Sequence, residues 1–333
     1  MGSSNAHNYR GYGFNNLRSN NELFSGLSQD MFVEPSYGFP TDLTKTERSG
    51  TARHLPNEVF KLDPSDPRCF ATDAYVEGGN ITTINNLGSI GDTGTNATIF
   101  PVLQFPKIYT TAATRHDVIT APMLSFNTNI INGTTFSFGS TGNWSFLAGR
   151  NVGYSIYYVL SFRQNVQLTS PVTTPTANDI SIFRTIPNSN VAGIVCGLAT
   201  SNNSVFAQWQ VSAGGGGIYS IIGSCRIIRD YRNLQNPIVV SMLCTNEQRG
   251  DDIGYWYVNG VKTDNIEYNG NPFPAAGGAN HPLQLFKRSS TTGNQLFNMI
   301  GSLGDIKIFN VMHDEGTHKH IVNMLMKKYK ISL

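Results

Sequence analysis

Paired carboxylates are the most direct route to catalysis in a chain of this kind. Two acids on one strand face can share acid and nucleophile roles in glycoside cleavage. A Glu-x-Asp spacing would set them there, because side chains two apart on a strand point the same way. Glu77, Glu247, Glu267 and Glu315 have no Asp two positions on, and Asp251-Asp252 in "NEQRGDDIG" reads as a polar turn. "HDEGTHKH" offers His313, His318 and His320, but His318 and His320 are two apart at a helix start and point away from one another. With no third ligand, these are expected to be solvated histidines. "GDTGTN" at 91–96 and "DDIG" at 251–254 could supply oxygens to calcium, yet neither has the density of a D-x-[DN]-x-[DN]-G loop. "SAGGGG" at 212–217 lacks the Gly-Lys-[Ser/Thr] and the helix of a phosphate loop. Cys69, Cys196, Cys225 and Cys244 form no C-x-x-C pair and read as reduced thiols in strands. No G-x-S-x-G elbow occurs. The expectation is a protein without catalytic residues, metal or cofactor.

Aromatic platforms are the remaining chemistry. Trp144, Trp209 and Trp256 could each stack on a sugar ring. Trp256 alternates with Tyr255 and Tyr257, so either the tryptophan or the tyrosine pair faces the core. The sequence leaves that open, and glycan-binding residues stay unassigned.

Composition sets the frame that must position such groups. The 333 residues include 33 glycines, with 39% hydrophobic and only 14% charged residues. Asn, Thr, Ser and Gly make up the difference, the balance of a turn-rich β sandwich rather than a helical protein. A formal net charge of +2 gives no steering toward nucleic acid or anionic membrane. No stretch approaches the roughly 20 apolar residues that span a bilayer. The opening "MGSSNAHNYRGYGFNNL" has no apolar core, so secretion by a signal peptide is not expected. Ala6 stands where the myristoylation pattern wants Ser or Thr.

Residues 1–69 hold scattered aromatics (Tyr9, Tyr12, Phe14, Phe24, Phe32, Tyr37, Phe39) without strand or helix period, and prolines break up the second half. They read as an extended arm that orders against other copies of the chain or other proteins. Strand patterns accumulate from residue 70. "YSIYYVLSF" at 154–162 is apolar on both faces and belongs in a sheet centre covered on both sides. "GYWYVNGVKTD" at 254–264 is a hairpin around the type I′ pair Asn259-Gly260. In "GDIKIFN", Ile306 and Ile308 face one side and Asp305 and Lys307 a wet one. A helix follows over 314–330, capped by Asp314, with Ile321, Leu325 and Tyr329 in its stripe. Lys327, Lys328 and Lys330 read as its solvated, dipole-matched last turn.

That ending resembles the closing signature of concanavalin A-like, laminin-G-type jelly rolls. Gly304, Ile306, Ile308, Phe309 and Asn310 match the family's strand, Asp314-Glu315 its turn, and Lys328-Tyr329 with Ile331 its helix end. The hairpin Tyr257 to Val261 and the stretch Gly94-Thr95-Asn96-Ala97-Thr98 also have counterparts, so the resemblance spans roughly residues 70–333. It implies an all-β, two-sheet antiparallel sandwich with one C-terminal helix, in a family that includes glycan binders, polysaccharide-cleaving enzymes and scaffolds. The first expectation is a non-enzymatic structural component of an assembled particle, a virus or bacteriophage capsid, tail or fibre protein residing in the virion. A glycan-binding receptor-recognition module is the alternative, and a divergent polysaccharide-active enzyme the third reading. Partners would be other copies or particle proteins through residues 1–69, and glycans, with no nucleic acid and no membrane.

Overall fold

The structure, a computed structural model, describes residues 55–70, 75–96, 107–109, 121–126, 136–139, 144–148, 153–162, 180–185, 192–201, 204–213, 220–228, 237–245, 252–267, 282–285 and 301–332. All of these lie in the unit formed by residues 36–333. In chain order the strands are β1 (Glu58–Leu62), β2 (Thr83–Asn85), β3 (Thr93–Asn96), β4 (Lys107–Tyr109), β5 (Met123–Phe126), β6 (Phe136–Phe138), β7 (Tyr154–Phe162) and β8 (Ile180–Arg184). Then come β9 (Ala192–Ser201), β10 (Ser204–Ala213), β11 (Ser220–Ile228), β12 (Ile238–Cys244), β13 (Asp252–Val258), β14 (Val261–Glu267), β15 (Leu283–Leu285), β16 (Gly301–Phe309) and the helix α1 (Glu315–Lys328).

Two antiparallel sheets result, as the sequence leads one to expect. The first runs β14-β13-β12-β7-β16-β5-β4, and β1 also pairs with β16. The second runs β11-β10-β9-β8-β15-β6-β3-β2. Strand β7 sits mid-sheet and shows why its sequence is apolar throughout. Tyr154, Ile156, Tyr158 and Leu160 fill the core between the sheets. Tyr157 and Val159 fill a second core beneath α1, with Phe309, Ile321, Leu325 and Tyr329.

Asp314 caps α1, its Oδ1 accepting the Thr317 N–H at 2.7 Å. At the other end Lys330 takes a left-handed φ of 52°. The Ile331 N–H then reaches Met326 O at 2.9 Å and the Lys330 N–H reaches Lys327 O at 3.2 Å. This is a Schellman closure with lysine where glycine is usual. The hairpin tip has φ of 49° at Asn259 and 79° at Gly260, the signs a type I′ turn requires. The Asn259 side chain adds a tie to the neighbouring strand, its Oδ1 accepting the Val239 N–H at 2.8 Å.

Two expectations are corrected. The sandwich begins before residue 70: β1 pairs with β16, Phe60 opposite Ile308 and Leu62 opposite Ile306, so residues 55–69 belong to it and not to an arm. Only five residues long and set among prolines, β1 carries too little pattern to stand out in the sequence. Residues 1–54 lie outside the described residues. The second face of β16 is not wet: α1 packs on it, Glu58 reaches Lys307 from the strand alongside, and Asp305 and Lys307 are buried.

Leu325 is fully buried beneath α1. Leu325→Ala is expected to cost about 2–4 kcal/mol in a denaturant titration, the transfer and cavity cost of the lost methyls. At the hairpin, Gly260→Val should cost at least about 1 kcal/mol, because a β-branched residue resists positive φ. A Cβ there also meets Val322 Cγ1 at 3.3 Å, which adds to the strain read in the same measurement.

Candidate functional site

Two groupings of polar and aromatic side chains stand out. The first is a buried chain of ions between β1, β16 and α1. Lys307 Nζ donates to Glu58 Oε1 at 2.9 Å and lies 3.8 Å from Asp305 Oδ2. Lys328 Nζ lies 2.5 Å from both Asp305 Oδ1 and Asp63 Oδ1. The Tyr329 hydroxyl donates to Asp305 Oδ1 at 2.8 Å and accepts the Asp305 N–H at 2.9 Å. The Leu55 N–H and the Ser65 N–H supply further donors to Glu58 and Asp63.

A one-residue bulge in β16, between Leu303 and Ile306 in its pairing with β7, brings Asp305 into this arrangement. Gly304 permits it, since a Cβ there would lie 2.5 Å from the Tyr329 ring. Burial alone would raise the Asp63 carboxyl, but the ammonium of Lys328, with Lys61 and Lys307 behind it, holds it well below the carboxylate range. Burial would depress both lysines, and the carboxylates more than reverse this: Glu58 and Asp305 at Lys307, Asp305 and Asp63 at Lys328. Burial, then Asp305 and Asp63, push the Tyr329 phenol up. Asp63, Lys307, Lys328 and Tyr329 are thus held in the forms their pairing needs. The arrangement is a clamp that joins β1, β16 and α1.

The second grouping lies on the outer face of β13. Trp256 points into the core between the sheets and is fully buried. The alternation left open by the sequence is therefore settled: Tyr255 and Tyr257 face the other way and are half-buried. Lys262 on β14 places its Nζ 3.7 Å from the centre of the Tyr255 ring. The Tyr257 ring lies 4.2 Å from that of His318. Burial, with Tyr255 and Glu315 adding to it, raises the Tyr257 phenol, so it stays a neutral hydroxyl. Two aromatic faces, a hydroxyl pair and one cation together form a strip at the surface beside α1.

The other nominated residues separate. Trp144 is buried in the core between the sheets. Trp209 lies in β10 opposite Cys196. Cys69, Cys196 and Cys244 are buried free thiols, and Cys225 lies in β11. Burial raises the Cys196 thiol to about 12, with a bond to Tyr158 opposing, so it is inert as a nucleophile. Glu77 is exposed, and Glu315 is exposed in an ion pair with Lys319 at 3.2 Å. Asp92 of "GDTGTN" accepts a bond from Asn86 Nδ2 at 2.9 Å. Glu247, Asp251 and most of the "SAGGGG" run lie outside the described residues. Among the described residues there is no group of three His, Cys, Asp or Glu that could hold a metal, and no helix long and apolar enough to cross a membrane.

His318 and Lys328 correct the expectation of solvated side chains, for both are buried. The helical wheel held the signal for Lys328. It stands three residues after Leu325 and seven after Ile321, on the apolar stripe itself. Asp63 and Glu58 carried no such signal.

No family model matches the chain, and no curated protein does. Solved structures do. The chain is similar to the binding domain of Paraclostridial Mosquitocidal Protein 1 at 15% identity and a TM-score of 0.46, over 81% of this chain and 53% of that one. It is similar to the receptor binding domain of botulinum neurotoxin C/D mosaic serotype at 13% identity and 0.45, over 80% and 51%. It is also similar to the CBM40 of Ruminococcus gnavus IT-sialidase bound to α2,3-sialyllactose at 11% identity and 0.37, over 59% and 95%. The chain thus spans about half the length of the two toxin domains.

Removing one member of the ion chain should be costly. Lys328→Met strands Asp63 and Asp305 in the interior and is expected to lower stability by about 3–5 kcal/mol, read by denaturant midpoint. The pH dependence has a sign at each extreme. The Asp63 contribution is complete above its ordinary 3.8 and is lost as pH falls through the lower folded value. That of Lys307 and Lys328 is complete below their ordinary 10.5 and is lost as pH rises through the higher folded values. Lys328→Met should abolish the alkaline loss that belongs to Lys328.

Proposed function

We propose that this chain is a non-catalytic binding module that takes carbohydrate on the Tyr255–Tyr257 strip. The observation that carries this reading is the outward tyrosine pair with Lys262 at its rim. Ring faces stack on the C–H faces of sugars, while the hydroxyls and the ammonium bond sugar oxygens. The rigid sheet behind the strip keeps its geometry fixed before a ligand arrives, which lowers the ordering cost of binding. The buried carboxylates and ammonium groups Glu58, Asp63, Asp305, Lys307 and Lys328 are engaged with one another in the clamp, which is consistent with recognition.

A second reading concerns residues 1–54. Their aromatics, Tyr9, Tyr12, Phe14, Phe24, Phe32, Tyr37 and Phe39, suit docking on another subunit, as in a component of a virus or bacteriophage particle. The module would then be displayed by an assembly that this segment joins.

A glycan array probed with the full chain tests the first reading. At least one glycan class should bind, and Tyr255→Ala should weaken that binding about tenfold or more, the scale of one lost stacking contact. Its melting temperature should stay close to that of the parent. Binding unchanged in Tyr255→Ala would remove the strip from the site, and no binding at all would remove the carbohydrate reading. Light scattering of the chain with and without residues 1–54 tests the second; an oligomer that persists without them would exclude it.

A further inference from the structure

The contact between α1 and the first sheet holds two imidazoles that neither the clamp nor the stacking strip requires to be histidine. His318, in the first turns of α1, is buried with its Nε2 2.9 Å from Ser241 Oγ on β12. Its ring lies 5.8 Å from that of Tyr157 on β7 and 4.2 Å from that of Tyr257 on β13. His313, in the turn before α1, has its Nδ1 2.9 Å from the Tyr157 hydroxyl. Its ring lies 4.4 Å from that of Phe309 on β16. A hydroxyl and ring faces thus lie against each imidazole, with His318 buried and His313 half-buried. The acids nearby are Asp314 and Glu315, both exposed on the helix side, and Glu58 on β1, which is engaged by Lys307. None of them is hydrogen-bonded to either imidazole among the described contacts.

We propose that His313 and His318 make the docking of α1 acid-sensitive: protonation loosens the N-terminal half of the helix, while the clamp at Lys328 and Tyr329 retains its last turn. A charged imidazole needs two acceptors, and this interface supplies each ring with one hydroxyl. Burial pushes His313 down to about 4, with His318 adding to the shift and Asp314 and Glu58 opposing it. Burial pushes His318 down too, against Glu315. Both folded values lie below the ordinary 6.5, so docking strength is complete above 6.5 and falls as pH drops toward 4. The Tyr157 and Tyr257 phenols stay neutral throughout, being raised by burial. Asp63 keeps its charge in this window, since it is held below 3.8. The two ends of one helix therefore answer to different pH ranges.

The test is made on the full chain. Imidazole NMR signals followed from pH 8 to 4 should give midpoints for His313 and His318 below 6.5; midpoints at or above 6.5 overturn the proposal. Amide hydrogen exchange at pH 7.5 and pH 5, normalised for intrinsic rates, should show amides 318–322 losing protection on the order of tenfold, the linkage expected for such a shift in a partly shielded ring. Amides 326–331 should keep theirs. Equal loss along the helix, or none, overturns the proposal. In the double variant His313→Gln and His318→Gln the acid-dependent loss should vanish; its persistence would assign the effect elsewhere. Should that variant fail to fold, the NMR midpoints and exchange of the parent chain decide the matter alone.

Discussion

Five charges sealed away from water set the terms for the rest of this molecule. Glu58, Lys307, Asp305, Lys328 and Asp63 alternate in sign across β1, β16 and α1, and each inner member touches its neighbours on both sides. Taking such ions out of water is costly, and their mutual attraction offsets the cost only when the geometry is complete. The bulge at Gly304 and Asp305, the bare Cα beneath the Tyr329 ring and the bond from the Tyr329 hydroxyl all serve that geometry. The helix is consequently fixed in one register on the sheet. A purely apolar stripe could slide by a turn, whereas an ammonium between two carboxylates cannot. Asn86 does similar work without charge: its Oδ1 accepts from the Lys61 and Gly88 N–H groups, and its Nδ2 donates to Val59 O and Asp92. That side chain ties the first sheet to the turn between β2 and β3 in the second.

The tyrosine strip on β13 inherits its fixed geometry from such constraints. Tyr255 and Tyr257 sit on β13, whose other face anchors Trp256 between the sheets and whose partner β12 is buried along its whole length. Tyr257 is shared, since its ring also packs on His318. The surface strip and the docked helix are therefore in contact, and anything that loosens the helix N-terminus removes support from one half of the strip.

Much of this architecture was legible in the sequence because it is written locally. The Asn259-Gly260 turn, the doubly apolar β7 and the capped stripe of α1 each state their own conformation within a few residues. Periodicity says which side chains share a face; it does not say what covers that face. Asp305 and Lys307 were correctly opposed to Ile306 and Ile308, yet they look wet until α1 is laid over them and Glu58 reaches in from the strand alongside. Lys328 was read by its charge and not by its place on the stripe. For β1 the information is not local at all, because EVFKL becomes a strand through its pairing with β16. At β13, both Trp256 and its flanking tyrosines are amphipathic, so alternation alone could not orient the strand.

The clamp also governs when the molecule can become itself. Lys307 meets Glu58 across 249 positions, and Lys328 meets Asp63 across 265. On a ribosome, β1 emerges early and finds no partner for β16-type pairing until nearly all of the chain described here has followed. In the second sheet β8, β9, β10 and β11 are sequence neighbours and can pair as they appear, but β15 must emerge before β8 is joined to β6. The first sheet waits later still, for its central strand β7 is flanked by β12 and β16. High separation between partners slows folding and prolongs the exposure of unpaired strand edges. Synthesis of this protein thus passes through a stage in which both sheets wait on late strands, β15 in one and β16 in the other, the interval in which a chaperone would matter most.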